Sequence, residues 1–400
     1  MDASSRATTR RTLLRSAAVI GGAIATQALA PLGRALAGAP AILKPLPTDQ
    51  FVDFGTNAEM RWSSVDPRRY LTPQSRLFVR NHTVTPTIDA ASYALKVYGD
   101  GLRSPHTAAS PITVTLRDLK RLPRTTLITS HECTGNGRSF FSSQQGTPAS
   151  GTAWTLGAVG TVRWEGVRLR DLLRHLGLDR DAVSVQATGL DPNYVTGGVD
   201  YGPVRRPFPI SKALDDALLA WGMNGEPLLP DHGYPLRLVL PGWVGIASIK
   251  WLGSLEVSTT QLTSPWNTKW YRMTGGAYPV DSPPLSVNPV RSAWELPVGA
   301  QINRSRRVQL SGRSWSGAAP IRRVEVSVDG GATWERARLE RSRERGWTQW
   351  TYTWSRPEVG SYELLARATD KAGRTQPLTT PFNDNGYFFD AVVRHPVAVV

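Results

Sequence analysis

The 400-residue chain carries 47 Lys+Arg against 32 Asp+Glu, a formal charge of +15, with 40% hydrophobic and 20% charged residues. That balance belongs to a soluble globular protein of two domains rather than to a disordered chain. A single cysteine excludes an intrachain disulfide and the paired-cysteine attachment of a c-type haem, and no helix-turn-helix, zinc-finger spacing or aromatic-interleaved basic tract links the positive charge to nucleic acid.

The first stretch, Thr9-Arg10-Arg11-Thr12-Leu13-Leu14-Arg15, is a twin-arginine pattern. An Ala/Gly-rich apolar run from Ala17 to Ala30 follows, too short for a membrane span, and Ala35-Leu36-Ala37 offers a small-x-small cleavage site. Residues 1–37 are therefore expected to be a signal peptide that exports the folded protein to a periplasmic or other extracytoplasmic space. The leader holds five arginines and one aspartate, so its removal leaves a basic chain of +11. Export in the folded state raises the expectation of a cofactor loaded beforehand.

Residues 38–75 are Pro-rich and irregular. Leu77 to His82 reads as a short strand that presents Arg80, Asn81 and His82 at its end, either as a solvated terminus or as an anion contact. Tyr93 to Gly99 alternates like a half-buried strand, and Leu116 to Leu122 is a short helix stopped by Pro123. Thr125 to Ser130 is β-rich and runs into His131-Glu132-Cys133-Thr134-Gly135-Asn136-Gly137-Arg138, a tight loop whose two glycines are free to take positive φ. A lone cysteine is most often a small buried hydrophobe. Beside an arginine, at a rigid strand end, it also has the chemistry to hold a soft metal next to an oxyanion.

Further on, Arg170 to Leu176 is a helix closed by Gly177, and Val183 to Thr188 is a strand. Ser211 to Ala220 reads as an amphipathic helix with Leu214, Leu218 and Leu219 on one face. His232, Arg237 and Lys250 fall within one compact block, a cationic set suited to a phosphate-bearing cofactor. Beyond residue 300 the pattern changes to short alternating strands, Val308 to Ser314, Ile321 to Val328, Trp347 to Trp354 and Tyr362 to Asp370, with a hairpin turn at Asp329-Gly330-Gly331. This is the profile of an antiparallel β-sandwich. The Arg/Glu run from Arg336 to Arg345 reads as a solvated hairpin tip or a protected edge.

These residues together resemble the sulfite oxidase family of molybdopterin enzymes, in its exported, haem-free bacterial form. The markers, in family order, are Phe78-Val79-Arg80-Asn81-His82, the Cys133-x-Gly-Asn-x-Arg loop, Trp154 with Gly157-Ala158 and Arg163-Trp164, the His-Gly-x-Pro-x-Arg segment at 232–237, and Lys250-Trp251-Leu252-Gly253. Val324 to Ser327 and Asp329 to Trp334 resemble the family's C-terminal Ig-like dimerisation domain. The resemblance implies an α+β architecture: a mixed α/β molybdopterin-binding domain over residues 38–260, a connecting stretch over 261–299, and an all-β Ig-like sandwich over 300–400. It implies Cys133 as the thiolate ligand of molybdenum, and Arg80, Arg138, Trp154 and Tyr271 as the substrate pocket. Phe78, Val79, Arg80, Asn81, His82, Asp191, His232, Arg237, Ser248, Ile249 and Lys250 fall where the family contacts the pterin and its phosphate. One position departs: where vertebrate members carry a further substrate-site arginine, this chain reads Asn385. The implied reaction is oxidation of sulfite to sulfate, in a homodimer that passes electrons to a separate acceptor such as a c-type cytochrome. Reduction of a sulfoxide, or a non-catalytic secreted binding protein, are the competing readings.

Overall fold

The computed structural model describes residues 41–343 and 345–400; the expected leader lies outside them. Among the described residues no helix is long and apolar enough to cross a membrane. Two five-stranded sheets build the N-terminal unit. One runs Arg205–Pro209, Ser184–Gly189, Leu252–Ser258, Ala94–Tyr98, Ile112–Thr115, antiparallel except where Leu252–Ser258 lies parallel to Ala94–Tyr98. The other runs Glu226–Pro227, Leu218–Met223, Val159–Arg168, Arg124–Glu132, with Arg237–Val239 also paired to Leu218–Met223. A small third sheet joins Phe51–Asp53, Asn57–Met60 and Val79–Arg80.

The helices are short, and the expected α+β class is dominated by sheet. Leu169–His175 forms because Leu169, Leu172 and Leu173 share one buried face. Asp171 lies in its first turn, Arg174 and His175 in its last, and Gly177 stops it at φ +83°. The expected helix from Ser211 to Ala220 is corrected. Only Ile210–Asp215 is helical, while Leu218–Met223 is a central strand between Val159–Arg168 and Arg237–Val239. An apolar run covered on both faces has no period to read, so the leucines fit either assignment until their neighbours are known.

The C-terminal strands pack as two sheets. Arg291–Trp294, Arg307–Trp315, Thr348–Ser355 and Arg338–Ser342 form one. Ala300–Ile302, His395–Val399, Gly360–Asp370, Ile321–Ser327 and Glu335–Arg336 form the other. Between them lie Trp294, Leu310, Val324, Val326, Trp350 and Leu364. The sandwich thus takes its first strand from Arg291, ahead of residue 300. Trp266, Tyr271 and Leu285, from the connecting stretch, belong instead to the core of the N-terminal unit.

Buried polar contacts join the sandwich to the strand that ends at the cysteine. Glu132, the last residue of that strand, accepts from Arg291 Nη1 at 3.1 Å, Asn136 Nδ2 at 2.8 Å and Trp315 Nε1 at 2.9 Å. Arg291 also donates to the Asn136 carbonyl at 2.5 Å. Edge strand and sandwich meet again where the Ser130 amide donates to the Arg345 carbonyl at 2.8 Å. Removing one partner of a buried pair strands the other charge away from water. Glu132→Ala should therefore cost about 3–5 kcal/mol in chemical denaturation. Truncating the exposed Arg304–Glu358 pair should cost no more than about 1 kcal/mol.

Candidate active site

Cys133 continues the strand Arg124–Glu132 by one residue, its amide donating to the Ala158 carbonyl at 2.9 Å. The loop then folds back, the Asn136 amide donating to the Cys133 carbonyl at 2.9 Å and the Arg138 amide to Gly135 at 3.0 Å. Of the two glycines expected to take positive φ, only Gly137 does, at +86°. Gly135 is needed for space, because a Cβ there would lie 2.5 Å from the Arg138 guanidinium. The loop therefore curls a cation over its own backbone, next to the thiol. Burial pushes the Cys133 thiol up from its ordinary pKa, against the opposing pull of Arg80, the backbone at Gly135, and Arg138. Such a thiol ionises readily only when a metal takes the place of its proton. Among the described residues no three His, Cys, Asp or Glu side chains cluster as metal ligands. Cys133 can thus be one ligand of a metal whose other ligands arrive with it.

Behind the thiol lies a cavity lined by, among others, Cys133, Thr134, His131, Arg237, Lys250 and His232. Its charges come from strand ends and loops. Arg237 donates to the carbonyls of His232 (2.9 Å) and Ser248 (3.1 Å) and approaches His131 Nε2 at 3.3 Å, with its Nε buried and unpartnered. Lys250 donates to the Asp231 carbonyl at 2.8 Å and to Asn81 Oδ1. Asp231 and Asp191 favour the charged form of Lys250 but are outweighed by its burial. The Asp231 carboxylate is turned to the amides of Leu43 (3.0 Å) and Lys44 (2.7 Å) and the Thr85 hydroxyl (2.6 Å). Asp191 accepts from the Val204 amide at 2.9 Å, and burial raises its pKa to about 6.

The titration of the cavity follows from that imbalance. Burial lowers Arg237 to about 9 and pushes Lys250, His131 and His232 well below their ordinary values, with neighbouring cations adding to the effect on the last three. A buried polyanion with several acceptor oxygens would satisfy the orphaned Arg237 Nε and the buried, unpartnered Thr134 hydroxyl. The donor set fits a pterin phosphate on one side and a metal beside Cys133 on the other.

Cys133, Arg80, Asn81, His82 and Tyr271 line both this cavity and a second, solvent-facing chamber. There Arg138 is held by the carbonyls of Asn385 (Nε, 2.8 Å) and Thr152 (Nη1, 2.7 Å). Arg80 is fixed by the Asn81 carbonyl and, at 3.1 Å, by His82 Nε2, which also accepts from Trp266 Nε1 at 3.1 Å. Burial, then Arg80 and Lys250, keep His82 neutral; an imidazole accepting from two donors at one nitrogen carries its proton on the other. Trp154 closes one wall. Its loop is tied to the buried Glu59, which accepts from the Thr155 amide and hydroxyl, each at 2.8 Å, and is raised to about 7 by burial.

The expected site residues fall into place in two groups. Phe78, Arg80, Asn81, His82, Cys133, Asp191, His232, Arg237, Ser248, Ile249, Lys250 and Tyr271 line the inner cavity, while Arg138 and Trp154 line the outer chamber. Val79 lines neither: it alternates away from Phe78 and Arg80 and packs with Met60, Trp62 and Phe141. Asn385 lines the chamber, its Nδ2 donating to Thr274 Oγ1 at 3.1 Å. Sequence reasoning did not select His131, Tyr194, Trp270 or Tyr387. Two-residue alternation from Cys133 would have found His131; Tyr387, stacked on Tyr271 at 5.1 Å, carries no local signal.

Comparison with known proteins accords with this geometry. Residues 82–266 match the oxidoreductase molybdopterin binding domain and residues 287–398 the Mo-co oxidoreductase dimerisation domain. Mitochondrial sulfite oxidase of Mus musculus is 33% identical over 353 residues, covering 83% of this chain and 62% of that protein. Sulfite oxidase of Gallus gallus is 34% identical over 330 residues, covering 77% and 68%. The chain thus spans about three-fifths of the mouse protein's length. Among solved structures, the sulfane dehydrogenase SoxCD of Paracoccus pantotrophus aligns with a TM-score of 0.74 at 26% identity, over 93% of this chain and 96% of that one. The cofactor of the inner cavity is accordingly molybdenum–molybdopterin.

An anion entering the inner cavity restores the proton affinity of its cations, so binding must take up protons. Calorimetry of the apo-protein with sulfate, which has no proton to lose at pH 8, should show net uptake when two buffers of different ionisation enthalpy are compared. Lys250→Met should remove a large part of that uptake and weaken sulfate by roughly 10- to 100-fold, the loss of a hydrogen bond to a charged group.

Proposed function

The chain belongs to the sulfite oxidase family of molybdopterin oxidoreductases, and on that premise we propose that it oxidises a small sulfur oxyanion, sulfite to sulfate, by oxygen-atom transfer. The observation that carries this reading is the position of Cys133 at the junction of two spaces, a phosphate-ready cavity behind it and a chamber with two guanidiniums in front. When bound, molybdenum–molybdopterin supplies the oxygen-atom transfer and takes up two electrons.

The chain's own residues supply position and field. Arg80 and Arg138 bind the anion through charge-assisted forks and offset its desolvation. Their guanidiniums are anchored on backbone carbonyls and His82, so little side-chain entropy is lost when the anion arrives. Trp154 and Tyr271 limit water at the same wall. The overall reaction takes one water and releases two protons and two electrons, the latter passing singly to an external acceptor such as a c-type cytochrome. The match of residues 287–398 to a dimerisation domain supports a homodimer. The twin-arginine pattern at Thr9 to Arg15 supports export of the loaded protein to an extracytoplasmic space.

Two outcomes test the reading. Cys133→Ser should lower sulfite-dependent reduction of cytochrome c by more than ~100-fold, beyond the loss usual for outer-shell partners of a metal; full turnover in that variant would end the assignment. With a formal charge of +11 once residues 1–37 are removed, the protein attracts its anion at long range. kcat/KM for sulfite should therefore fall on the order of tenfold as ionic strength rises from about 10 mM to about 150 mM.

A further inference from the structure

The outer chamber is larger than its two cations need. Its volume is about 300 Å³, part of which a cofactor at Cys133 would take, whereas sulfite has only four heavy atoms. Beyond Arg80 and Arg138, five aromatic residues stand in a mixed wall, Trp154, Tyr194, Trp270, Tyr271 and Tyr387, alongside polar groups such as Asn57 and Thr152. Two pairs among them pack together, Tyr271 on Tyr387 at 5.1 Å and Tyr194 against Trp270 at 5.6 Å. The side chain of Asn385 on that wall is neutral, its Nδ2 donating to Thr274 Oγ1, while its backbone carbonyl accepts from Arg138 Nε. The chamber therefore has two anchored guanidiniums for oxygens, no third cation among the described residues that line it, and ring faces on which an organic group can rest.

That distribution matches an anion with two oxygens on sulfur and an organic group in place of the third. We propose, resting on the reading of this site as a molybdenum-dependent sulfur oxidase, that it also oxidises organic sulfinates to sulfonates. The balance is R–SO2⁻ + H2O → R–SO3⁻ + 2 H⁺ + 2 e⁻. The sulfur lone pair forms one new S–O bond, the C–S bond stays intact, both O–H bonds of one water break, and the electrons pass to a one-electron acceptor such as ferricyanide. One sulfinate oxygen goes to each guanidinium, and the organic group displaces water from the rings.

The test uses molybdenum-replete full-length protein, with ferricyanide as acceptor and methanesulfinate, benzenesulfinate and sulfite as substrates. At least one sulfinate is expected to reach a kcat/KM equal to or above that of sulfite. Asn385→Arg, which adds a third cation, should lower the sulfinate value by at least tenfold while raising that for sulfite. Calorimetry gives a readout independent of turnover: methanesulfonate should bind at least tenfold more tightly than sulfate, and Asn385→Arg should reverse that order. Oxidation of sulfite with neither sulfinate oxidised, and sulfonate binding no tighter than sulfate, would overturn this proposal alone. Failure to oxidise any of the three by metal-loaded protein would overturn the underlying reading and this one with it.

Discussion

A cluster of buried basic groups, whose desolvation outweighs the pull of the nearby aspartates, governs this molecule. Arg237, Lys250, His131 and His232 converge on one cavity. The two aspartates beside them are turned elsewhere, Asp231 to the amides of Leu43 and Lys44 and Asp191 to Val204. Burying charge without a partner is among the most unfavourable arrangements a fold can hold. A phosphate-bearing cofactor would supply that partner, and its binding would then stabilise the fold. The cations come from separate strand ends and loops, so the cofactor also fastens those segments to each other.

A second constraint positions the thiol. Glu132 ends the strand that delivers Cys133, and its carboxylate is held by Arg291 and Trp315 of the sandwich. The C-terminal unit therefore does more than present a surface to a partner. Through Arg291 it grips the cysteine loop, and through the Asn385 carbonyl it fixes the direction of Arg138. Tyr387, a few residues on, stacks on Tyr271 in the chamber. The cysteine loop, the Arg138 guanidinium and the aromatic residues of the chamber are thus referenced to both units.

Much of this was legible in the chain because the relevant signals are local. A strand running into a glycine-spaced turn marks where Cys133 and Arg138 must sit, and a dense run of basic residues between strands marks the phosphate side. The sandwich announces itself by two-residue alternation and turn residues; its four main strands lie at Arg307–Trp315, Ile321–Ser327, Thr348–Ser355 and Gly360–Asp370. Local pattern misled at Leu218 and Leu219, where burial on both faces erased the period; Val79, included through the family resemblance, packs in the core while Phe78 and Arg80 line the cavity.

By itself, then, the sequence determined which residue types gather in each segment: one thiol beside an arginine at a strand end, a basic set at His232, Arg237 and Lys250, and a β-sandwich, while the family resemblance supplied the roles of Arg80 and Arg138. These depend on spacing within a dozen residues, where backbone geometry alone decides which side chains share a face. Only the tertiary structure decided that Cys133 stands between two spaces rather than in one, and that Arg138 is aimed by a carbonyl 247 residues away. It also brought Tyr387 and Asn385 into the chamber. Contacts across such separations are set by how sheets pack, and packing leaves no trace in the local order of residues.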